Sequence, residues 1–273
     1  MGIAVTKLTP VEQTALVTQY ARALDSRWPR PILGDTLADE IVSKIDYDFP
    51  ALGVPSSAVR QTALRAKMLD DRVRAFVSEH PDAVVVALGA GLDTGMLRVK
   101  PPAGVDWYNV DLPNVIALRD ELVPGDDHAY SVAASLAEEA WADQIPSGRP
   151  TMLVADGLLA FVSEQVIINL FRHIPEHFRS GELALNDYGR VSRVSLLAMK
   201  LVFSAVGNQW TYRGFKDARV PQTWSPRLTL IEETSLAHAP EVDLFPAAAR
   251  ASTRMMGMTK AGARTARILR YRF

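Results

Sequence analysis

The chain has 273 residues, 48% of them hydrophobic and 22% charged, which is the balance of a globular protein able to bury a sizeable core. A formal net charge of -1, with no block of Lys or Arg, gives no electrostatic footprint for nucleic acid or an anionic membrane surface. The lack of cysteine excludes disulfides, thiolate metal sites and a cysteine nucleophile, and fits a cytoplasmic location.

The opening MGIAVTKLTP has no charged region followed by a long apolar one, so no signal peptide is expected. Gly2 with Thr6 matches the short myristoylation pattern, but one acyl chain anchors only marginally. No uninterrupted apolar run is long enough to span a bilayer. Residues 9–80 are predicted to be helical. Thr9-Pro10 followed by Glu12 is a helix-start signature, and the helix should run to about Leu24, where SRWPRP breaks it. A second helix is predicted over 33–45. A third, over 57–78, follows a Pro/Gly-containing loop and ends before His80-Pro81.

From residue 83 the pattern alternates. Strands are predicted at 83–88, 106–111, 128–132, 151–155, 181–187, 227–233 and 267–273, with helices at 113–122, 136–144 and 163–179 between them. Strands separated by such helices imply right-handed crossovers and a mostly parallel sheet. Residues 189–225 exceed a simple connection. They read as a helical stretch and an irregular segment with Trp210, Tyr212 and Trp224, inserted over the site. There is no internal repeat.

The first strand, VVVAL, ends in Gly89-Ala90-Gly91, and the second ends at Asp111, 20 residues after Gly91. That is the layout of a nucleotide-binding βαβ unit: glycines let backbone approach the ligand, and the acid accepts from ribose hydroxyls. Thr94 stands where a dinucleotide fingerprint has its third glycine, which favours S-adenosylmethionine over NAD.

These segments resemble the leucine carboxyl methyltransferase-like family, and within it the bacterial branch of tetracenomycin-type polyketide O-methyltransferases. The resemblance rests on RPILGDTLADEI (30–41), LRAKMLDDRVRAF (64–76), VVVALGAGLDT (84–94), VDLPNVIALRDELVP (110–124), the Trp141 region and ADGLLAFVSEQVI (155–167), with ILRYRF (268–273) also similar. It implies an α/β fold of the class I S-adenosylmethionine-dependent methyltransferases, with a Rossmann-like seven-stranded sheet whose last strand is antiparallel. The single domain 1–273 would comprise an N-terminal helical cover (1–80), the core (81–188 and 226–273) and a helical lid (189–225). It also implies that Arg65 binds the cofactor's methionine carboxylate, that Gly89, Ala90 and Gly91 form the cofactor loop, that Asp111, with Leu112 beside it, binds the ribose, and that Ser135 and Leu136 flank the adenine. The family's usual Asp-Leu is here Ser135-Leu136, its usual Glu before Gly-Leu-Leu is Asp156, and Thr94-Gly95 replaces a common Thr-Arg.

S-adenosylmethionine carries a carboxylate, an ammonium and a ribose, so its site needs a cation, an anion and a polar clamp. Arg65, Asp156 and Asp111 can supply these. Methyl transfer mainly demands positioning and dryness, and a carboxylate acceptor needs no base, whereas a phenol benefits from one. Tyr188, at the end of the fifth strand, is the catalytic candidate. His173 and His177, four apart on one helix, are expected to be structural. An oxygen-ligand trio of Asp156, Asn186 and Asp187 is the metal-dependent alternative, although the resemblance points to a family without a metal. Tyr20, Trp28, Phe161, Trp210, Tyr212 and Trp224 are candidates for an aromatic acceptor wall. The expectation is a cytoplasmic O-methyltransferase that acts on a carboxylate or phenolic hydroxyl of a small aromatic, polyketide-like molecule. Its partner is a small-molecule acceptor, not nucleic acid or membrane. A NAD-linked reductase and an inactive methyltransferase-fold binding protein are the alternatives.

Overall fold

The computed structural model describes residues 2–189 and 209–273. Two short strands, β1 (Ile3–Ala4) and β2 (Ile45–Asp46), pair in parallel beside the helices α1 (Thr14–Ser26), α2 (Thr36–Lys44) and α3 (Ser56–Glu79). The main sheet then follows: β3 (Val84–Leu88), α4 (Gly95–Val99), β4 (Asp106–Asp111), α5 (Pro113–Leu122), β5 (Ala129–Ala133), β6 (Thr151–Ala155), α6 (Glu164–His177), β7 (Gly181–Asp187), β8 (Thr229–Ser235), α7 (Ala247–Gly257), α8 (Lys260–Ala263) and β9 (Arg267–Arg272). Its order is β5-β4-β3-β6-β7-β9-β8, and β9 runs antiparallel to both neighbours. The expected seven-stranded sheet with an antiparallel last strand is therefore present.

The unbroken apolar character of β3 has a simple cause. Val84, Val86 and Leu88 face a core built with Ile167, Leu170 and Phe171 of α6, while Val85 packs with Leu64, Met68 and Val73 of α3. Successive strand residues point to opposite faces, so a strand buried on both sides must be apolar throughout. A third cluster, with Leu16, Ile41 and Leu118, joins α1 and α2 to α5. α1 and α2 are thereby held near Leu92 and Leu112, just past the carboxyl ends of β3 and β4.

Several boundaries differ from expectation. The Thr9/Glu12 signature forms, with the Glu12 carboxylate 2.6 Å from the Thr9 N–H, but it closes turns over residues 9–13 and regular helix starts only at Thr14. The predicted helix 136–144 is a 3-10 turn at Glu139–Gln144. Its start has no side-chain cap, and Ser135 Oγ instead takes the Ala137 N–H at 3.2 Å. β1 and β2, and α7 and α8 between the last two strands, were not expected; the Ala-rich run after Pro246 was a readable start signal for α7. Residues 190–208 of the proposed insertion lie outside the described residues. In the remainder, Tyr212, Phe215 and Trp224 pack into the core beside Phe171. Among the described residues, no helix is long and apolar enough to cross a membrane.

Candidate active site

The carboxyl ends of β3, β4 and β6 open into a cavity of about 290 Å³, covered on one side by α1. In an open parallel sheet this is where ligands bind. Its floor is the glycine turn. Gly89 and Gly91 have φ of +61° and +52°, a region that L side chains rarely enter. A Cβ at Gly89 would lie 2.8 Å from Leu158 Cδ1, which would have to swing away, and one at Gly91 would lie 3.3 Å from Ala15 Cβ, so crowding adds to the strain that a side chain meets at these φ values. From α5 the buried Arg119 donates to Gly91 O at 3.1 Å and Asp93 O at 2.6 Å, bracing the turn from behind. Burial holds the Arg119 guanidinium down at about 10, with Asp93 opposing.

Beside this turn Asp111 accepts from the backbone N–H of Gly91 and of Leu112, each at 2.7 Å. Burial pushes its carboxyl above the ordinary range and Glu12 adds to the push, against the two N–H groups and Arg119. Leu112, Ser135 and Leu136 line the same cavity, as does Glu12.

The other end is ionic. Arg22, with 4% of its side chain exposed, places Nη2 2.8 Å from Asp156 Oδ2 and Nη1 3.1 Å from Asp93 Oδ1. Its Nε is buried with no hydrogen-bond partner among the described residues. Arg65 approaches Asp156 from behind: Nε donates to Asp156 Oδ1 and Nη1 to the Tyr188 hydroxyl. Burial opposes the charge on Arg65, but Asp156 and then Tyr188 outweigh it, so its pKa is raised. Asp93, also bonded to Arg98 at 2.6 Å, is held well below the usual carboxyl range: burial would raise it, but Arg22 and Arg98 prevail.

Gly89, Ala90, Gly91, Asp111, Leu112, Ser135, Leu136 and Asp156 therefore share one wall. Arg65 does not line the cavity; the cation that does is Arg22. Tyr188 lies beyond Arg65, its ring 5.0 Å from that of Trp210. Of the six aromatic candidates, Phe161 lines the cavity and the Trp210 ring lies 6.4 Å from the Phe161 ring. Tyr20 packs on Phe49, Trp28 lies under Arg60, and Tyr212 and Trp224 are core. The Asp156, Asn186 and Asp187 side chains are each committed elsewhere. Asp156 holds the two arginines, Asn186 Oδ1 takes the Gly157 N–H at 2.6 Å, and Asp187 binds Arg267 at 2.7 Å. Among the described residues, no group of three acids or histidines is arranged for a metal. His173 and His177 sit on α6, each 3.9 Å from an acid, Glu139 and Asp143 respectively.

Sequence reasoning missed Arg22, Glu12, Asp93 and Arg119. A signal existed for the first: Ala15, Thr18 and Arg22 fall at three- and four-residue spacing, one face of α1, and that face lines the cavity.

Residues 15–175 match the profile of the family described as leucine carboxyl methyltransferase. The chain is 41% identical over 173 residues to the tetracenomycin polyketide synthesis O-methyltransferase of Streptomyces glaucescens, covering 62% of this chain and 64% of that protein, less than two thirds of its length. It is 29% identical over 254 residues to an S-adenosyl-L-methionine-dependent methyltransferase of Gibberella zeae, covering 85% and 84% of the two chains. Among solved structures, a DUF574 family protein of Streptomyces avermitilis superposes with a TM-score of 0.58 at 16% identity, over 95% of this chain and 96% of its own. An O-methyltransferase family protein of Burkholderia thailandensis gives 0.51 at 12% identity, over 96% and 70%.

Proposed function

The chain belongs to the leucine carboxyl methyltransferase family, and from that premise we propose that it is an S-adenosylmethionine-dependent O-methyltransferase acting on a small aromatic acceptor through a carboxylate or phenolic hydroxyl. The observation that carries this reading is the shared wall. Glycine turn, Asp111, Ser135-Leu136, Asp156 and Arg22 surround one cavity that has a cationic and anionic end and a donor-seeking end.

The residues fit the cofactor on the structure's own terms. The glycine turn is a cradle that a Cβ would fill, and Arg22, which lines the cavity, carries a buried Nε with no hydrogen-bond partner among the described residues. Asp111 would accept the ribose hydroxyls, because its two backbone bonds leave lone pairs free. Arg22 would take the methionine carboxylate, while Asp156 would take the ammonium. Arg65 would act on Asp156, fixing its rotamer from the side away from the cavity, rather than on the carboxylate directly. When bound, S-adenosylmethionine supplies a methyl carbon already activated by its sulfonium. The chain's part is then to align the acceptor oxygen and exclude water. Ala15 of α1, Leu158 and Phe161 would provide apolar cover, and Trp210, next to Phe161 and Tyr188, would lie toward the acceptor side. A carboxylate acceptor reaches this site ionised and needs no base. A phenol would have to lose its proton; Tyr188, the catalytic candidate, could assist only from beside the cavity, since its hydroxyl holds Arg65 and it does not line the wall.

Calorimetric titration with S-adenosylhomocysteine, followed by methyl transfer to a panel of aromatic acids and phenols, tests the proposal. Micromolar binding and turnover of at least one acceptor class are expected. Failure of the intact chain to bind would overturn it.

A further inference from the structure

Glu12 is a buried acid in an unusual position. Only 6% of it is exposed, it lines the cavity near Asp111, and no ion pair to it is found among the described residues. Its carboxylate accepts the Thr9 N–H at 2.6 Å and, more weakly, Asn114 Nδ2 at 3.3 Å. Asp111 is in the same condition, with two neutral N–H donors and no salt bridge. Both acids are tied to the first turn of α5, Asp111 through Leu112 and Glu12 through Asn114.

Burying two carboxylates against one cavity with no ion pair to either is costly, Arg119 offsetting only part of the cost at Asp111, and further donors lower it. A capping box does not require this arrangement, since a glutamine closes it equally well and carries no charge. Each carboxylate has about four acceptor positions, and the bonds above fill about two. What suits such a pair is a ligand end that offers adjacent O–H donors and no negative charge. A vicinal diol does so; a phosphate would be repelled. The cation that lines the same cavity, Arg22, lies at the far end and is already paired with Asp156 and Asp93, so it does not neutralise these two acids.

We propose that Glu12 is a second ribose ligand, which accepts a hydroxyl alongside Asp111 and so closes the segment 9–13 over the nucleoside end of the cofactor. The inference rests on the reading of this cavity as an S-adenosylmethionine site. Glu12 and Arg22 then form two ends of one cover: the α1 segment touches the ribose at its start and the amino-acid end of the cofactor two to three turns later. Occupancy would be sensed by a stretch that is not yet regular helix.

The experiment titrates the full chain with S-adenosylhomocysteine and with its 2′-deoxy and 3′-deoxy analogues. Glu12→Gln should weaken S-adenosylhomocysteine roughly tenfold, the scale of a hydrogen bond to a charged group, yet bind one deoxy analogue as the wild type does. Thr9→Val, which disturbs the cap but keeps the carboxylate, should bind normally. Hydrogen exchange over residues 5–14 should slow on ligand addition in the wild type and not in Glu12→Gln. Equal affinity of Glu12→Gln and wild type for S-adenosylhomocysteine would overturn the inference while leaving the cofactor reading intact. So would an equal loss for all three ligands. If the wild type itself bound none of them, both would fall together.

Discussion

The two ends of the cavity hold their acids by opposite means. Asp156 sits between the guanidinium groups of Arg22 and Arg65, whereas Asp111 is held by two backbone N–H groups and looks across at another acid, Glu12. A carboxylate already paired with cations contributes a fixed charge pattern, suited to a zwitterionic amino-acid group. A carboxylate held only by neutral donors keeps acceptor capacity for hydroxyls. The contrast teaches that the same residue type, at the ends of neighbouring parallel strands, recognises different parts of one ligand according to what stands behind it.

The largest expected effect comes from breaking the ionic end. Arg22→Ala leaves Asp156 and Asp93 facing the cavity with one fewer cation. In the complex it would also leave the cofactor carboxylate buried without its cation, and truncating one partner of a buried charge pair across a binding interface costs about 3–5 kcal/mol of affinity. S-adenosylhomocysteine affinity should therefore fall by at least a hundredfold in calorimetry, while adenosine, which lacks the amino-acid part, should bind unchanged. Arg65→Lys sharpens the same point. It keeps the charge but loses the geometry that engages both Asp156 and Tyr188, and should produce a smaller loss, again confined to ligands with an amino-acid end. A loss shared by adenosine would mean that the arginines support the pocket as a whole.

At the neutral end the effects are smaller and depend on pH. Asp111→Ala should cost about 1.5–3 kcal/mol of S-adenosylhomocysteine binding, the range for hydrogen bonds to a charged group. The sign of the pH dependence follows from the raised carboxyl of Asp111, displaced by burial and Glu12, with Arg119 opposing. Ribose hydroxyls donate to the ionised form, so binding expels a proton. Affinity should decline as pH falls, beginning above the ordinary carboxyl pKa of about 3.9. The unliganded protein responds in the opposite sense, because the folded state holds this proton more tightly than the unfolded chain and gains stability over the same interval. Asp111→Asn should remove both trends, and Asp156→Asn neither.

This contrast also explains what could be read from the sequence. β3, β4 and their glycine turn are dictated locally: an apolar run buried on both faces, glycines at positive φ, an acid one strand later. They stood out without coordinates. Arg22 did not, because it acquires meaning only when α1 folds back across strands more than 60 residues away. In sequence it is an ordinary helix cation. Arg65 was legible as important but not as a residue standing behind Asp156, since the spacing of a helix gives no depth. Glu12 was visible only as a cap. The C-terminal helices α7 and α8 were missed for a simpler reason: no residue of either is buried, and α8 is only four residues long, so neither announces a core face, although α7 is amphipathic and follows Pro246.

The smallest expected effect lies between the two ends, at the adenine. Ser135 lines the cavity where the related family usually has an aspartate, and its hydroxyl already accepts the Ala137 N–H at 3.2 Å. A Ser135→Asp side chain can keep that bond with one carboxylate oxygen and offer the other to the adenine amino group. A typical net hydrogen bond contributes about 0.5–1.5 kcal/mol, so S-adenosylhomocysteine should bind roughly three- to tenfold more tightly. The gain should vanish with the inosine analogue, which has no amino group to donate. It should also be independent of Arg22 and Asp111, because the three contacts engage separate parts of the ligand and distant, unshared contacts add. If Ser135→Asp tightened the inosine analogue equally, the new charge would be acting through the field of the pocket, and the adenine would have to be placed elsewhere along the wall.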